Sequence, residues 1–300
     1  MCGIVGLHLK QPGLQSRLGE LLVPMVAALT ARGPDSAGIA VYRDDLPEGC
    51  LRYSLRAPGP GYRWVDLTEQ LTGALGEEVS ARITADDSVL VASGAPEPFL
   101  RALASCAPEV AVVGYGHALE IYKDVGDPAA ICDRYDIGRI AGYQGVGHTR
   151  MATESAVTTE HSHPFAVGAD LTLVHNGSFS NHASVRRRLV DEGVRFDTDN
   201  DSEVAARFIA WHLERGADLG QALQFVLKEL DGFFTLLVAT RTQFAIVRDP
   251  FACKPAVVAE TDDYVAVGSE YVALAELPGI DGARVFEPMP EEVHLWTRTP

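Results

Sequence analysis

The sequence predicts an α+β protein with layered, mainly antiparallel sheets, and two observations support this prediction. Short apolar runs of strand length recur along the 300-residue chain, and amphipathic stretches of helix length lie between groups of them. Strands and helices that cluster in this way, instead of alternating one by one, are typical of α+β layers. With 47% hydrophobic residues, the chain can bury a core sufficient for one large domain or two modest ones.

The first elements are predicted as strand, helix, loop and strand. Residues 2–7 and 37–43 are short apolar runs, and the amphipathic stretch 18–31 lies between them. Beyond residue 140, further strands are predicted at 144–148, 171–175, 233–239, 243–248, 256–259 and 264–268. The same region predicts helices at 179–192, 202–215 and 218–230.

The composition changes between residues 44 and 140, and we interpret this range as an inserted small α/β subdomain. Turn-forming residues such as Pro58-Gly59-Pro60-Gly61 interrupt it, and we find no motif of known chemistry inside it. Its centre predicts strands at 88–92 and 110–114, a helix at 97–105 and an extended run at 117–123. We expect this subdomain to dock a partner or to line a tunnel.

The charge and the cysteines exclude several classes of partner and site. The chain has 25 Lys and Arg against 41 Asp and Glu, a formal charge of −16, so nucleic acid and membrane surfaces are not expected partners. We find no apolar run long enough for a membrane span and no signal peptide. The cysteines form no CxxC pair, which argues against a zinc ribbon or a disulfide framework and favours the cytoplasm. They are Cys2, Cys50, Cys106, Cys132 and Cys253.

Cys2 is the first candidate for chemistry, because removal of Met1 would make it the amino terminus. One residue would then carry a thiol and an α-amino group, whose usual pKa values are about 8.5 and about 7.7–8.0. A nucleophile and a proton acceptor would thus stand side by side. The alternative is a small buried core residue, the commoner fate of a cysteine.

Polar residues at the ends of predicted strands are the next candidates. Arg150 follows the strand at 144–148, and its planar guanidinium suits bidentate binding of a carboxylate, although an exposed surface arginine is the alternative. Asn176-Gly177 follows the strand at 171–175, which favours a hairpin turn. In such a tight turn the Asn176 amide and the Gly177 N–H could also aim two donors at one oxygen, as an oxyanion hole requires.

Acidic residues and histidines complete the set of candidates. Asp201 opens the helix predicted at 202–215, where acidic residues already serve as caps. His161 and His163 stand close enough together to suggest a metal site. No Cys or carboxylate lies at a recognised metal spacing from them, so we expect no metal.

Taken in order, the polar segments resemble the class II glutamine amidotransferase domain, a family of N-terminal nucleophile hydrolases. The segments are CGIVG, RGPDSAG, GHTRMAT, HSHP, VHNG and TDNDSEV, with RDP, KP and GSE as later strand-end signatures. The resemblance covers residues 2–43 and roughly 141–275. It implies a four-layer α/β/β/α sandwich over residues 2–300, interrupted by the insertion at 44–140.

The resemblance implies that Cys2 is the nucleophile, which would attack the side-chain amide carbon of glutamine and form a γ-glutamyl thioester. The Cys2 amine would accept and return the proton, through a water molecule. Asn176 and the Gly177 N–H would bind the oxyanion, a contribution of about 3–4 kcal/mol per donor in comparable sites. Cys2, Asn176 and Gly177 are therefore the expected catalytic residues.

The resemblance also implies how glutamine is recognised. Arg150 would bind the α-carboxylate with support from Thr153, and Asp201 would bind the α-ammonium group. Asp199 is the rival for the ammonium contact, but Ser202-Glu203-Val204 sets the register in favour of Asp201. An amide that lacks either charge would leave a partner unpaired, so glutamine is selected.

Three more residues receive supporting roles from the resemblance. Arg32 and Asp35 lie in the loop before the second predicted strand and would position that loop. His163 would contact the substrate from a flexible segment that closes over glutamine.

The expected biological unit is a complex. The chain contains no synthase segment that we recognise, so we expect its ammonia to pass to a separate synthase subunit. The motifs are closest to stand-alone amidotransferase subunits of glutamate-synthase-like complexes, including N-methylglutamate synthase. In such complexes the partner subunits carry FMN and iron–sulfur clusters, whereas no cofactor is expected in this chain. The alternatives are an N-terminal-cysteine hydrolase of another amide and a non-catalytic regulatory subunit with the same fold.

Overall fold

A computed structural model describes residues 2–151, 158–159 and 161–298, and each element predicted from the sequence is present in them. The strands are β1 (Gly3–Leu9), β2 (Ser36–Tyr42), β3 (Cys50–Arg56), β4 (Ser80–Thr84), β5 (Asp87–Ser93), β6 (Ala111–Gly116), β7 (Leu119–Val125), β8 (Gln144–Arg150), β9 (Phe165–Ala166), β10 (Thr172–Phe179), β11 (Gly232–Ala239), β12 (Gln243–Arg248), β13 (Val257–Glu260), β14 (Tyr264–Gly268), β15 (Arg284–Phe286) and β16 (Val293–Thr297). The helices are α1 (Leu18–Ala27), α2 (Trp64–Leu75), α3 (Pro96–Cys106), α4 (Pro128–Arg134), α5 (His182–Asp191), α6 (Asp201–Glu214) and α7 (Leu219–Glu229).

Two large sheets form the centre of the described chain. The first has seven strands in the order β15-β13-β14-β1-β8-β2-β7, and the second has five in the order β16-β12-β11-β10-β9. Neighbouring strands in both sheets run antiparallel. Their inner faces meet in one buried cluster, to which Ile4 and Val267 contribute from the first sheet and Val174 and Phe244 from the second.

Helices cover the two outer faces. Helices α1 and α4 pack on the seven-stranded sheet through residues such as Leu22 and Ile131, and α5, α6 and α7 pack on the five-stranded sheet. The result is a four-layer α/β/β/α sandwich, which confirms the predicted fold class. Helix α6 has 14 residues, whereas a bilayer span needs about 20. Within the described ranges, no helix combines the length and apolarity that crossing a membrane requires.

Strand β1 lies inside the first sheet and is buried on both faces. Val5 and Leu7 pack towards α1, while Ile4 packs towards the second sheet, because successive strand residues point to opposite faces. Strands β14 and β8 pair with β1 on either side. The residue that precedes β1, Cys2, is therefore held at the end of a strand that is anchored from both flanks.

The range 44–140 is divided between two parts of the fold. Residues 50–116 form a separate four-stranded sheet in the order β4-β5-β3-β6, with α2 and α3 packed against one face. Strand β7 instead pairs with β2 along its whole length, and α4 packs with α1. Leu119 and Ile121 of β7 are buried against the second sheet, so burial of apolar surface places this strand in the main sandwich.

A buried carboxylate joins the small sheet to the main one. Glu120 on β7 is 3% exposed and accepts hydrogen bonds from Arg52 at 2.7 Å, Arg82 at 2.6 Å and the Tyr122 hydroxyl at 2.7 Å. Burial raises the pKa of Glu120, but the surrounding arginines outweigh burial and lower it below its usual range. Because Arg52 and Arg82 come from β3 and β4, these ion pairs hold the insertion against the main sheet.

Candidate active site

Cys2 is fixed by backbone contacts at the start of β1. The N–H of Ile4 donates to the Ser269 hydroxyl at 2.9 Å, and the N–H of Ser269 donates back to the Ile4 carbonyl at 2.9 Å. Gly3 pairs with Thr149 on the neighbouring strand β8. The GSE segment at the end of β14 therefore holds the start of β1, next to Cys2, a role that its sequence did not reveal.

The main-chain carbonyl of Cys2 receives two side-chain donors. Arg32 donates to it from Nε at 3.1 Å, and Asn176 donates to it from Nδ2 at 3.2 Å. Arg32 also forms a salt bridge with Glu270, directly after Ser269. Arg32 thus links the loop before β2 to Cys2 at the start of β1 and to Glu270 just after β14. Through these contacts Arg32 could position the loop, as the resemblance implies.

A cavity of about 310 Å³ opens beside Cys2 and brings together most of the predicted site residues. Its size lies at the lower end of the range for small-molecule sites. The lining residues are Cys2, His148, Arg150, Met151, His161, His163, His175, Asn176, Gly177, Asn200, Asp201, Ser202 and Lys254. Thr153, the predicted support for Arg150, lies outside the described residues, so its position is not stated.

Asn176 and Gly177 lie within strand β10 and not in a turn. They pair with Thr235 and Phe234 of β11, and the strand continues to Phe179. The predicted hairpin turn is therefore wrong, because pairing with β11 overrides the local turn preference. Gly177 has φ +143°, and a Cβ there would lie 1.8 Å from the Phe233 carbonyl oxygen, so the position requires glycine.

Arg150 ends strand β8 at the cavity wall and is 7% exposed. The N–H of Asp35 donates to the Arg150 carbonyl at 3.0 Å. At Gly33 a Cβ would lie 2.3 Å from the carbonyl carbon of Thr149, so this loop packs directly on the end of β8. The RGPD loop thus positions the backbone that carries Arg150.

The two candidate aspartates occupy different environments. Asp201 is the first residue of α6, lines the cavity and accepts the Phe179 N–H at 2.8 Å. The helix cap is Asn200, whose side chain accepts the Ser202 N–H at 2.8 Å. Asp199 has a 91% exposed side chain and pairs with His161 at 2.9 Å. Of the two aspartates, Asp201 is the one that lines the cavity.

Three histidines pack together in the wall of the cavity. His163 is 7% exposed, its ring centroid lies 4.2 Å from that of His148, and its Nε2 lies 2.9 Å from the Ser202 hydroxyl. His175 Nδ1 contacts the same hydroxyl at 2.8 Å. His163 therefore forms part of the cavity wall. The resemblance implied that it lies on a flexible segment that closes over glutamine. Among the described residues, no group of three or more His, Cys, Asp or Glu is arranged to hold a metal ion.

Burial and neighbouring groups set the protonation of this cluster. Burial lowers the pKa of His163 well below its usual range and lowers that of His175 to about 4, so both imidazoles are neutral at neutral pH. Burial raises the pKa of the Cys2 thiol, but interactions with His148 and the Met151 N–H outweigh burial and lower it to about 6. This direction favours the thiolate, the reactive form of a cysteine.

Comparison with known proteins identifies the family. Residues 148–276 match a glutamine amidotransferase domain family model. The glutamine amidotransferase-like protein GlxB of Rhizobium meliloti (strain 1021) is 48% identical over 297 residues, which cover 99% of this chain and 98% of the relative. The chain belongs to the class II glutamine amidotransferase family. Membership in this family and the cavity beside Cys2 assign it an enzymatic role.

Two further similarities are found, one in sequence and one in fold. A putative glutamine amidotransferase of Methanothermobacter thermautotrophicus is 34% identical over 312 residues. The match covers 99% of this chain and 99% of the relative. The solved glutamine phosphoribosylpyrophosphate amidotransferase from B. subtilis matches with a TM-score of 0.61 at 19% identity. That match covers 98% of this amidotransferase but 47% of the solved chain, and it shows the shared fold.

Several residues that line the amidotransferase cavity were not predicted as site residues. Among them are His148, Ser202 and Lys254. Each stands inside a segment that carried the resemblance, namely GHTRMAT, TDNDSEV and KP. A motif does not reveal which of its side chains faces a cavity, so these residues emerge only from the packing of β8, α6 and the loop after β12.

Proposed function

We propose that this chain hydrolyses L-glutamine to L-glutamate and ammonia through a γ-glutamyl thioester on Cys2. The observation that supports this proposal is the cavity itself, which combines a thiol of lowered pKa with a guanidinium and a carboxylate. A free α-amino acid carries the complementary charges. The side-chain amide of glutamine supplies the carbon that the sulfur attacks.

In the proposed reaction, Cys2 Sγ forms a bond with the amide carbon and the carbonyl oxygen becomes an oxyanion. The Asn176 amide and the Gly177 N–H bind this oxyanion. The C–N bond then breaks as the Cys2 amine returns the thiol proton to the amide nitrogen, which leaves as ammonia. Water attacks the thioester, the C–S bond breaks, and glutamate is released.

Two charged residues would select glutamine. Arg150 would bind the α-carboxylate, for which the planar guanidinium provides paired donors. Asp201, the first residue of α6, would bind the α-ammonium group. Because both residues line a small cavity, a ligand that lacks one charge would leave one of them without its partner.

We also propose that the ammonia passes to a synthase on a separate subunit of a glutamate-synthase-like or N-methylglutamate synthase complex. FMN and iron–sulfur clusters would reside on those partner subunits. The resemblance of the motifs supports this idea. The small sheet at residues 50–116 would provide a docking surface or a tunnel wall, and its deletion is expected to abolish co-purification with a synthase subunit.

Glutamate and ammonia release by the purified chain tests the proposed activity. Intact-mass measurement first establishes removal of Met1. Cys2→Ala is expected to abolish release of both products, whereas Cys106→Ala, a matched change in α3, is expected to retain activity. A Cys2→Ala protein that still releases ammonia from glutamine would overturn the proposal. Competition by amides without an α-amino acid group would instead favour hydrolysis of another amide.

A further inference from the structure

The Ser202 hydroxyl lies among three polar side chains in the cavity wall, and the proposed mechanism gives it no task. Ser202 is the second residue of α6, lines the cavity and is 1% exposed. Its Oγ lies 2.9 Å from His163 Nε2 and 2.8 Å from His175 Nδ1. The same Oγ lies 3.3 Å from Asp201 Oδ1. Two imidazoles and one carboxylate therefore share a single hydroxyl group.

The direction of these three hydrogen bonds is limited by the hydroxyl itself. A serine hydroxyl donates one hydrogen bond and accepts two, whereas an ionised carboxylate can only accept. The imidazoles of His163 and His175 are neutral at neutral pH, because burial lowers their pKa values. Each neutral ring has one N–H group and one lone pair, so either ring could donate to Ser202 or accept from it.

Only one arrangement turns all three contacts into hydrogen bonds. In it, His163 donates from Nε2 and His175 donates from Nδ1, and the hydroxyl hydrogen of Ser202 is left for the carboxylate. If either ring accepted that hydrogen, the carboxylate would lose its donor, although a hydrogen bond to a charged acceptor is the stronger kind. Within the described ranges, the other ring nitrogens, Nδ1 of His163 and Nε2 of His175, have no partner that could compete for the ring hydrogens.

This arrangement holds both oxygens of the Asp201 carboxylate. Oδ1 accepts from the Ser202 hydroxyl, and Oδ2 accepts the Phe179 N–H at 2.8 Å. The N–H of His175 adds a favourable charge–dipole contact, with 3.9 Å between Nδ1 and Oδ1 of Asp201. Because a carboxylate has about four acceptor positions, these donors fix its orientation and leave other positions for a ligand in the cavity.

We infer that Ser202 is a positioning residue for Asp201, and that two imidazoles donating to its oxygen direct its one hydrogen to the carboxylate. The binding consequence rests on the proposed function. In glutamine hydrolysis, the fixed carboxylate would meet the α-ammonium group without first having to be ordered. The order of the hydrogen bonds does not depend on the substrate.

The hydrogen positions on His163 and His175 test the inference without glutamine. Nitrogen NMR of isotope-labelled histidines distinguishes a ring nitrogen that bears hydrogen from one that does not, and through-bond correlations to the backbone assign the rings. At neutral pH, hydrogen is expected on Nδ1 of His175 and on Nε2 of His163. Hydrogen on the opposite nitrogen of either ring would mean that this ring accepts from Ser202, and it would overturn the inference. This measurement uses native protein and needs no variant to fold.

Kinetics test the consequence for glutamine. Ser202→Ala is expected to raise KM for glutamine by about 10-fold, the usual effect of one lost hydrogen bond to a charged group. The change in kcat is expected to be much smaller, because the ammonium contact is made equally in the ground state and the transition state. Inhibition by glutaramate, which lacks the α-ammonium group, is expected to change little. In an Asp201→Asn background, Ser202→Ala is expected to change KM by less than about twofold, since Ser202 acts through that carboxylate.

Ser184→Ala is the matched control, because Ser184 lies in the first turn of α5, donates to the Asn181 carbonyl and does not line the cavity. Its KM is expected to equal that of native protein. A 10-fold effect of Ser202→Ala that persists in the Asp201→Asn background would overturn the inference, as would an unchanged KM in the single variant. Either result leaves glutamine hydrolysis by Cys2 intact. A chain with the expected ring hydrogens that releases no glutamate contradicts only the proposed function.

Discussion

The side-chain amide of Asn176 donates a hydrogen bond to the main-chain carbonyl of Cys2, with 3.2 Å between Nδ2 and O. Cys2 precedes β1 of the first sheet, and Asn176 lies on β10 of the second. One amide thus links Cys2, the proposed nucleophile of one layer, to the proposed oxyanion site of the other. Since the amide carries two N–H groups, its second hydrogen is available to a substrate oxyanion.

Replacement of Asn176 by alanine is expected to lower kcat for glutamine hydrolysis by about 100- to 1,000-fold, the usual cost of one lost oxyanion donor. KM is expected to change little, because the donor acts on charge that develops in the transition state. Steady-state kinetics measure both. Asn181→Ala, which removes an amide that donates to the Glu229 carbonyl, is the control. A kcat within threefold of native for Asn176→Ala would argue against an oxyanion role.

The paired changes Asp201→Asn and Asp199→Asn separate the two candidate aspartates. Asp201→Asn keeps an acceptor for the Phe179 N–H but removes the charge, so KM for glutamine is expected to rise about 10- to 100-fold. Inhibition by glutaramate, which lacks the α-ammonium group, is expected to change much less. Asp199→Asn alters an exposed side chain and is expected to leave KM unchanged. A larger rise in KM for Asp199→Asn than for Asp201→Asn would assign the ammonium contact to Asp199.

Gly177→Ala is expected to lower the free energy of unfolding by more than about 2 kcal/mol, since it combines a strained φ with a steric overlap. The new Cβ would lie 1.8 Å from the Phe233 carbonyl oxygen, so the β10–β11 pairing must shift. Urea denaturation measures the change. Gly13→Ala is the control, because nothing lies within 4 Å of its Cβ position. Equal stabilities of the two variants would contradict the described geometry of β10.

Glu120→Gln is expected to lower the free energy of unfolding at neutral pH by about 3 kcal/mol, because it removes the buried charge that pairs with Arg52 and leaves Arg52 only its pair with Asp45. The pKa of Glu120 is lowered in the native state, so its stabilising charge is present above the unfolded pKa. That contribution is lost as the pH falls through the native pKa. The stability difference between native protein and variant should therefore shrink on acidification.

Urea denaturation at a series of pH values checks the Glu120 prediction. Glu20→Gln is the control, because Glu20 forms an exposed pair with Arg17 that water screens. The control is expected to match native protein at each pH. The difference in free energy of unfolding between Glu120→Gln and native protein could instead widen on acidification. That result would show that the charge of Glu120 does not stabilise the fold.

Local patterns predicted the elements because strand and helix periodicity depends on neighbours in the chain. The apolar run at 2–7 became β1, and the acidic cluster before residue 202 became the start of α6, capped by Asn200. The same local logic failed at Asn176-Gly177, where turn preference was overridden by pairing with β11. It also assigned residues 117–123 to the insertion, although pairing with β2 places β7 in the main sheet.

The sequence by itself determined the fold class, the family and the identity of Cys2 as the candidate nucleophile, since these depend on periodicity and on motifs in order. Only the tertiary structure decided that Asp201 and not Asp199 lines the cavity, and that His148 lines it together with Cys2. Those facts depend on distances between residues more than a hundred positions apart, such as Cys2 and Asn176. Packing of the two sheets sets such distances, and no local pattern encodes them.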